Sequence, residues 1–288
     1  MNKKVIYGLS GLVVTVALLA ALLPSILRSF GFHPDYDGEA YDLSGKKALI
    51  VTTSHGVLNK PGETDGPATG VFASEMTIPY YEFLDANMTV DLASIEGGEI
   101  PIDPQSFWYF LKSEQDERFL DDETFQEKVK NSIALEHVDF REYDVVFFAG
   151  GWGAAYDMAS EEVAAKVSAA YYDSDVLFGS VCHGALAFTE AKDKNGDYLV
   201  KGRTMTGVTQ RQLEQFGIEY TPKHPEEELR KAGADYQANH KVIDPFATLT
   251  VIDEEKRFVT GQNQNSSHET AQLMMKVLSE GGSASDET

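Results

Sequence analysis

The sequence predicts an α/β domain in which helices cover both faces of a mostly parallel sheet, joined to one N-terminal transmembrane helix. Two observations carry this. Between residues 47 and 278, short apolar runs rich in β-formers alternate with stretches of helical spacing, and such alternation builds parallel sheets with both faces buried. Ahead of them, Val5 to Leu23 contains no charged residue, and about 20 apolar residues in a helix suffice to cross the hydrocarbon core.

The N-terminal run continues through Pro24-Ser-Ile-Leu27 and stops at Arg28. It is long for the core of a signal peptide and no Ala-x-Ala site follows, so residues 1–28 are read as an uncleaved signal anchor. Lys3 and Lys4 precede the span and Arg28 alone follows closely. That bias places the N-terminus in the cytoplasm and the domain outside, as a single-pass membrane protein. Residues 29–45 hold Gly, Pro and acids without helical period and form a linker.

The domain spans 46–280. Residues 47–53 form the first buried strand, 71–86 a helix kinked or shortened by Pro79, and 89–94 a second strand. Residues 122–135 form a solvent-facing helix, and 143–149 a third strand running into Gly150-Gly151. A helix over 161–172 leads to a strand over 176–181 that ends at Cys182. Lys194-Asn-Gly-Asp197 marks a hairpin between two short strands. Late strands at 246–251 and 257–260 precede a closing helix over 266–278, and 281–288 is a disordered Gly/Ser/acid tail. Residues 98–142 exceed what a connection needs and form an insertion over one edge of the sheet.

The chain has 288 residues, 42% hydrophobic and 24% charged, which suits one large globular domain or two small ones. The formal net charge is −22, and because the first 28 residues hold three cations and no acid, the rest carries −25. Such a surface repels phosphate backbones and excludes nucleic acid as a partner. One cysteine rules out an intrachain disulfide and a Cys-rich metal site. The seven histidines are scattered without a His-Glu-x-x-His pattern, so neither metal nor other cofactor is expected. His55, His224 and His240 are assigned to surface or loop positions.

A lone cysteine is more often a small buried hydrophobe than a nucleophile, so its surroundings decide. In Gly179-Ser-Val-Cys-His-Gly-Ala-Leu186 a buried strand ends at Cys182 and a small-residue helix starts at once. This elbow places the thiol at the carboxyl edge of the sheet, where open α/β sheets bind ligands. The helix N-terminus is expected to favour thiolate over thiol. His183 is the adjacent candidate for acid or base. Gly150-Gly151-Trp152-Gly153, after the preceding strand, offers backbone N–H groups for an oxyanion. From spacing alone Glu75 is most simply a surface residue. Buried beside a thiol, it would be protonated and able to relay protons.

Together, Cys182-His-Gly184, Gly150-Gly-Trp-Gly153 and the early Glu75 resemble the ThiJ/PfpI superfamily, which shares the class I glutamine amidotransferase-like fold. Within it the chain is similar to the glyoxalase III and heat-shock chaperone branch. Thr69-Gly70, Ile78-Pro-Tyr-Tyr81, Pro101-Ile-Asp-Pro104, Thr206-Gly207 and Val259-Thr-Gly-Gln-Asn263 extend the likeness over residues 46–279. The resemblance implies a flavodoxin-like sandwich with Cys182 as nucleophile, His183 as its base and Glu75 as the acid hydrogen-bonding the thiolate. The amides of Gly151 and Trp152 are the implied oxyanion donors. The third triad acid corresponds in position to Leu213, and the neighbouring Glu214 is taken for it. Trp152 stands where the branch has His.

The implied activity is a cofactor-independent glyoxalase III reaction on a small-molecule aldehyde. Methylglyoxal would become lactate without glutathione or metal, in carbonyl-stress detoxification, and a homodimer is also implied. The same elbow leaves other readings open: a stress holdase chaperone or protein deglycase, a redox-sensing thiol, or a cysteine peptidase or amidase. A glutamine amidotransferase is disfavoured, because it needs a C-terminal His-x-Glu pair and His268-Glu269 lacks the middle residue.

Overall fold

The computed structural model describes residues 3–29, 36, 38–218, 220–241 and 247–283. Helix α1 (Lys3–Ser29) precedes the domain. The transmembrane reading of this segment is corrected: among the described residues, no helix is long and apolar enough to cross a membrane. The side chains of Lys3, Lys4 and Arg28, on which the single-pass orientation rested, lie outside the described residues. The membrane attachment and external domain that were expected from this span are therefore not supported.

The domain contains β1 (Lys47–Thr52), α2 (Ala73–Asp85), β2 (Thr89–Ser94), α3 (Glu114–Asp121), α4 (Glu123–Lys130) and β3 (Ile133–Ala134). Then follow β4 (Val145–Phe148), α5 (Ala154–Asp157), α6 (Glu161–Asp173), β5 (Leu177–Val181), β6 (Thr204–Met205) and α7 (Gln210–Phe216). The chain closes with α8 (Pro225–Lys231), β7 (Asp235–Tyr236), β8 (Thr250–Ile252), β9 (Phe258–Gly261) and α9 (Ser267–Ser283). Among the described residues the main sheet has seven strands in the order β3-β2-β1-β4-β5-β9-β8. Every pairing is parallel except β8 on β9.

Alternation along the strands divides the core into two layers. Leu49, Val51, Val146, Phe148 and Phe178 face α5, α6 and the segment after Cys182. Ala48, Ile50, Val145, Phe147 and Leu177 face α2 and α9. Each such side chain larger than alanine contributes roughly 1.5–3 kcal/mol on full burial, and Phe147, Phe148 and Phe178 have no exposed surface. The sheet is therefore covered on both faces, as the alternating pattern predicts.

Several elements differ from the sequence reading. Helix α2 continues through Pro79 to Asp85. The helix expected over 122–135 is shorter: Asp122 accepts from the Phe125 N–H and caps α4, which ends at Lys130, and β3 takes 133–134. Helix α3, just ahead of Asp122, was not expected, and both helices bury one face: Phe119 and Phe125 are buried, and Phe125 stacks on Tyr80. The insertion is tied to α2 by Thr77, which donates to Asp116, and by Tyr81, which donates to Asp122. It adds β3 beside β2 at the sheet edge. The expected hairpin is a turn closed by a single bridge from Lys192 to Tyr198. The late strands occupy 250–252 and 258–261, and Phe246 lies outside the described residues. Helix α9 extends to Ser283, and 284–288 lie outside the described residues. Leu43, in the stretch read as a linker, is buried against the domain and donates its N–H to the Ala86 carbonyl.

The chain order turns back between the adjacent strands β1 and β4. Such a switch point opens a crevice at the carboxyl ends of the strands, and Gly150 and Cys182 follow the ends of β4 and β5 there.

Candidate active site

Strand β5 delivers Cys182 in a backbone conformation that L-residues avoid, with φ at +57°. For a non-glycine residue this costs about 1–2 kcal/mol, the kind of strain that collects at functional positions. The turn is pressed against β4: a Cβ at Gly184 would lie 2.1 Å from the Phe148 carbonyl oxygen, so only glycine fits. The segment Cys182–Phe188 is a 3-10 helix with every residue buried, in place of the expected α-helix.

This environment overturns the expected preference for thiolate. Burial, then the charge of Glu75, pushes the Cys182 thiol well above its ordinary range. The amides of Gly151 and His183 hydrogen-bond the sulfur and pull the other way, but their effect is smaller than that of burial.

Glu75 lies in the first turn of α2 and is buried, at 1% exposure, so the surface reading fails. Its Oε2 accepts the Gly150 N–H at 2.9 Å, and its carboxyl shares a hydrogen bond with Cys182. Burial raises it from 4.5 to about 8, against the smaller lowering by those two bonds. A Cβ at Gly150 would come within 2.6 Å of both Glu75 Oε2 and the His183 nitrogen, so glycine is what lets the three groups meet. Glu75 and Cys182 titrate as a coupled pair, with repulsion disfavouring the state in which both are charged.

His183 is fully buried, its Nδ1 3.5 Å from the Cys182 sulfur. Burial, with a smaller contribution from His224, lowers it to about 3, so the imidazole is neutral at physiological pH. Among the described residues, no hydrogen-bond partner meets its Nε2. Glu214 does not fill that place. A capping box at the start of α7, in which Thr209 and Gln212 exchange hydrogen bonds, turns Gln212 and Leu213 inward and Glu214 outward. Glu214 is exposed and accepts from Gln210 at 3.3 Å. The titratable ring that approaches His183 is His224, 6.5 Å away between centroids and 7% exposed. Its assignment to the surface is corrected, and no local sequence signal links it to residue 183.

Gly150, Gly151 and Trp152 all reach the site in different roles. The Gly150 amide is engaged by Glu75, the Gly151 amide faces the sulfur, and the Trp152 indole packs edge-to-face on His183 at 5.3 Å. Above Cys182 opens a cavity of about 350 Å³. Trp152 and Phe216 line one part of it and Trp108, Phe110 and Leu111 another. The last three come from the insertion, and the sequence reading did not place them at the site. Their signal was an aromatic run, Trp108-Tyr-Phe110, inside an otherwise polar segment. Among the described residues, no group of three or more His, Cys, Asp or Glu could hold a metal ion.

The DJ-1/PfpI family model matches residues 68–277. The chain belongs to the DJ-1/PfpI family. It is 29% identical to glyoxalase 3 of Candida albicans over 234 residues, 78% of this chain and 95% of that protein. It is 28% identical to the glutathione-independent glyoxalase HSP31 of Saccharomyces cerevisiae, covering 82% of this chain and 99% of that one. Among solved structures, the Rapid Encystment Protein 24 kDa of Francisella tularensis superposes with a TM-score of 0.72 at 32% identity, over 80% of this chain and 98% of its own.

Proposed function

We propose that this DJ-1/PfpI protein is a glutathione-independent glyoxalase that turns a 2-oxoaldehyde into a 2-hydroxy acid through Cys182. The carrying observation is the buried Cys182–Glu75 pair beneath the cavity, with the carboxyl at about 8, close to working pH. The Cys182 sulfur bonds to the aldehyde carbon, and the thiol proton passes to the aldehyde oxygen. The aldehyde C–H proton is then removed, leaving an enediol, and a proton returns to the neighbouring carbon to give a 2-hydroxyacyl thioester. Water hydrolyses the thioester and restores the thiol. One carbon is oxidised as its neighbour is reduced, so the only co-reactant is water.

Proton shuttles work best with a pKa near the operating pH. Glu75 therefore carries the proton between the two carbons, and neutral His183 holds the sulfur through Nδ1. The Gly151 and His183 amides stabilise charge developing beside the sulfur. This changes the sequence reading, in which His183 was the base and the Trp152 amide an oxyanion donor. The names of the two glyoxalase relatives, similar over nearly their whole length, support the reaction class. A homodimer belongs to the same proposal on family grounds, and light scattering would report it.

The test is lactate formation from methylglyoxal by the full chain without glutathione, beside Cys182→Ala. Turnover by the wild type and none by the folded variant is the expected result. Equal turnover by both, or none by a folded wild type whose thiol still alkylates, overturns the proposal.

A further inference from the structure

Methylglyoxal is small for this site. The cavity holds about 350 Å³, and the thiol sits at its buried end. Cys182 is 6% exposed and Glu75 1%, whereas Phe216 is 39%, Phe110 42% and Trp108 50% exposed. A three-carbon aldehyde bonded to Cys182 would occupy the inner end and leave the aromatic rim in contact with water. Exposed aromatic side chains gathered around one opening mark a binding surface.

The rim consists of two aromatic pairs from separate parts of the chain. Trp152 and Phe216 meet at 5.8 Å and 74°, Trp108 and Phe110 at 6.0 Å and 58°. Besides Glu75 and Cys182, the polar lining residues are Gln105, Gln215 and Gln264, and no Lys or Arg is among the described lining residues. A phosphate or carboxylate on the substrate would find no cationic partner there. A flat apolar group would find ring edges and faces, which favour a further ring over an alkyl chain.

We infer that the site takes aryl 2-oxoaldehydes, of the phenylglyoxal type, in preference to methylglyoxal, with Phe216 and Trp108 as specificity-determining residues. The inference rests on the glyoxalase reading and names its substrate class. The reacting carbons stay at Cys182 and Glu75, and the aryl substituent extends outward between the two aromatic pairs. The steps are those already balanced, with an aryl 2-hydroxy acid as product.

The experiment compares kcat/KM of the full chain for phenylglyoxal, read as mandelate, and methylglyoxal, read as lactate. Each value is divided by the rate at which the same aldehyde adds to free cysteine. The corrected ratio is expected to favour phenylglyoxal by at least about tenfold. Phe216→Ala and Trp108→Ala should each lower the ratio by about threefold or more, mainly through KM. Both side chains are at least one-third exposed, so truncation spares the core, and circular dichroism verifies the fold. Parity, a preference for methylglyoxal, or a ratio unmoved in both variants overturns the substrate assignment and leaves the glyoxalase reading standing. No turnover of either aldehyde by folded protein overturns that reading, and the assignment with it.

Discussion

Replacing Glu75 by Gln tests whether the carboxyl is neutral in the folded protein. Gln has the same shape: one amide oxygen can accept the Gly150 N–H, and its NH2 can face the sulfur as a protonated carboxyl would. It cannot ionise. In the wild type, burial raises the group from 4.5 to about 8. The folded protein therefore binds this proton more tightly than the unfolded chain. Stability from this group is fully present below the unfolded value, and it is lost as pH rises through the folded value. At about 1.4 kcal/mol per pKa unit, the loss between pH 5 and 8 is on the order of 3 kcal/mol. Urea unfolding of both proteins at about pH 5, 6.5 and 8 measures it, and the difference cancels other titrating groups. The stability of Glu75→Gln relative to wild type should rise by that amount across the range. Parallel pH profiles would refute the neutral carboxyl, and with it the proton shuttle.

Two further outcomes follow from the same geometry. Because burial and Glu75 push the Cys182 thiol up, its alkylation by iodoacetamide should keep accelerating beyond about pH 9, where an ordinary thiol levels off. In Glu75→Gln the curve should move to lower pH, and a wild-type plateau near pH 8 would contradict the assigned environment. Glu214 is exposed and turned away from His183, so Glu214→Gln should leave kcat/KM within about twofold of wild type. A loss of tenfold or more would restore Glu214 as the triad acid.

The sheet was legible because its strands are buried on both faces and so appear as compact apolar runs, as in Val145-Val-Phe-Phe148. The elbow was legible because an apolar strand, a cysteine and small residues follow without a break. Glu75 was not legible from spacing, since its burial depends on Gly150, 75 residues away, leaving room for the carboxyl. Beside Glu214 the start of α7 was legible: Thr209 and Gln212 spell a capping box, and in the structure Leu213, not Glu214, turns inward. Asp122 likewise carried a cap signal that marks the start of α4 and separates it from α3. His224 had no such signal, because its approach to His183 is set by packing between distant segments.

The protonation state of the site also separates the competing chemistries. A thiol used to sense oxidants reacts as thiolate, and such cysteines are accessible and electropositive in setting. Cys182 is the reverse: it is 6% exposed, its pKa is raised, and among the described residues the cavity lining contains a carboxyl but no Lys or Arg. A peptidase thiol paired with an imidazolium is also hard to build here, because burial holds His183 neutral. What burial does favour is a site where thiol, carboxyl and imidazole all rest neutral and the substrate supplies the polarity. A 2-oxoaldehyde does this, since its adjacent carbonyls make the carbon electrophilic and stabilise the enediol. Excluding water then protects that enediol while one proton crosses between neighbouring carbons. The features that weaken Cys182 as a general nucleophile are thus those that an internal proton transfer requires.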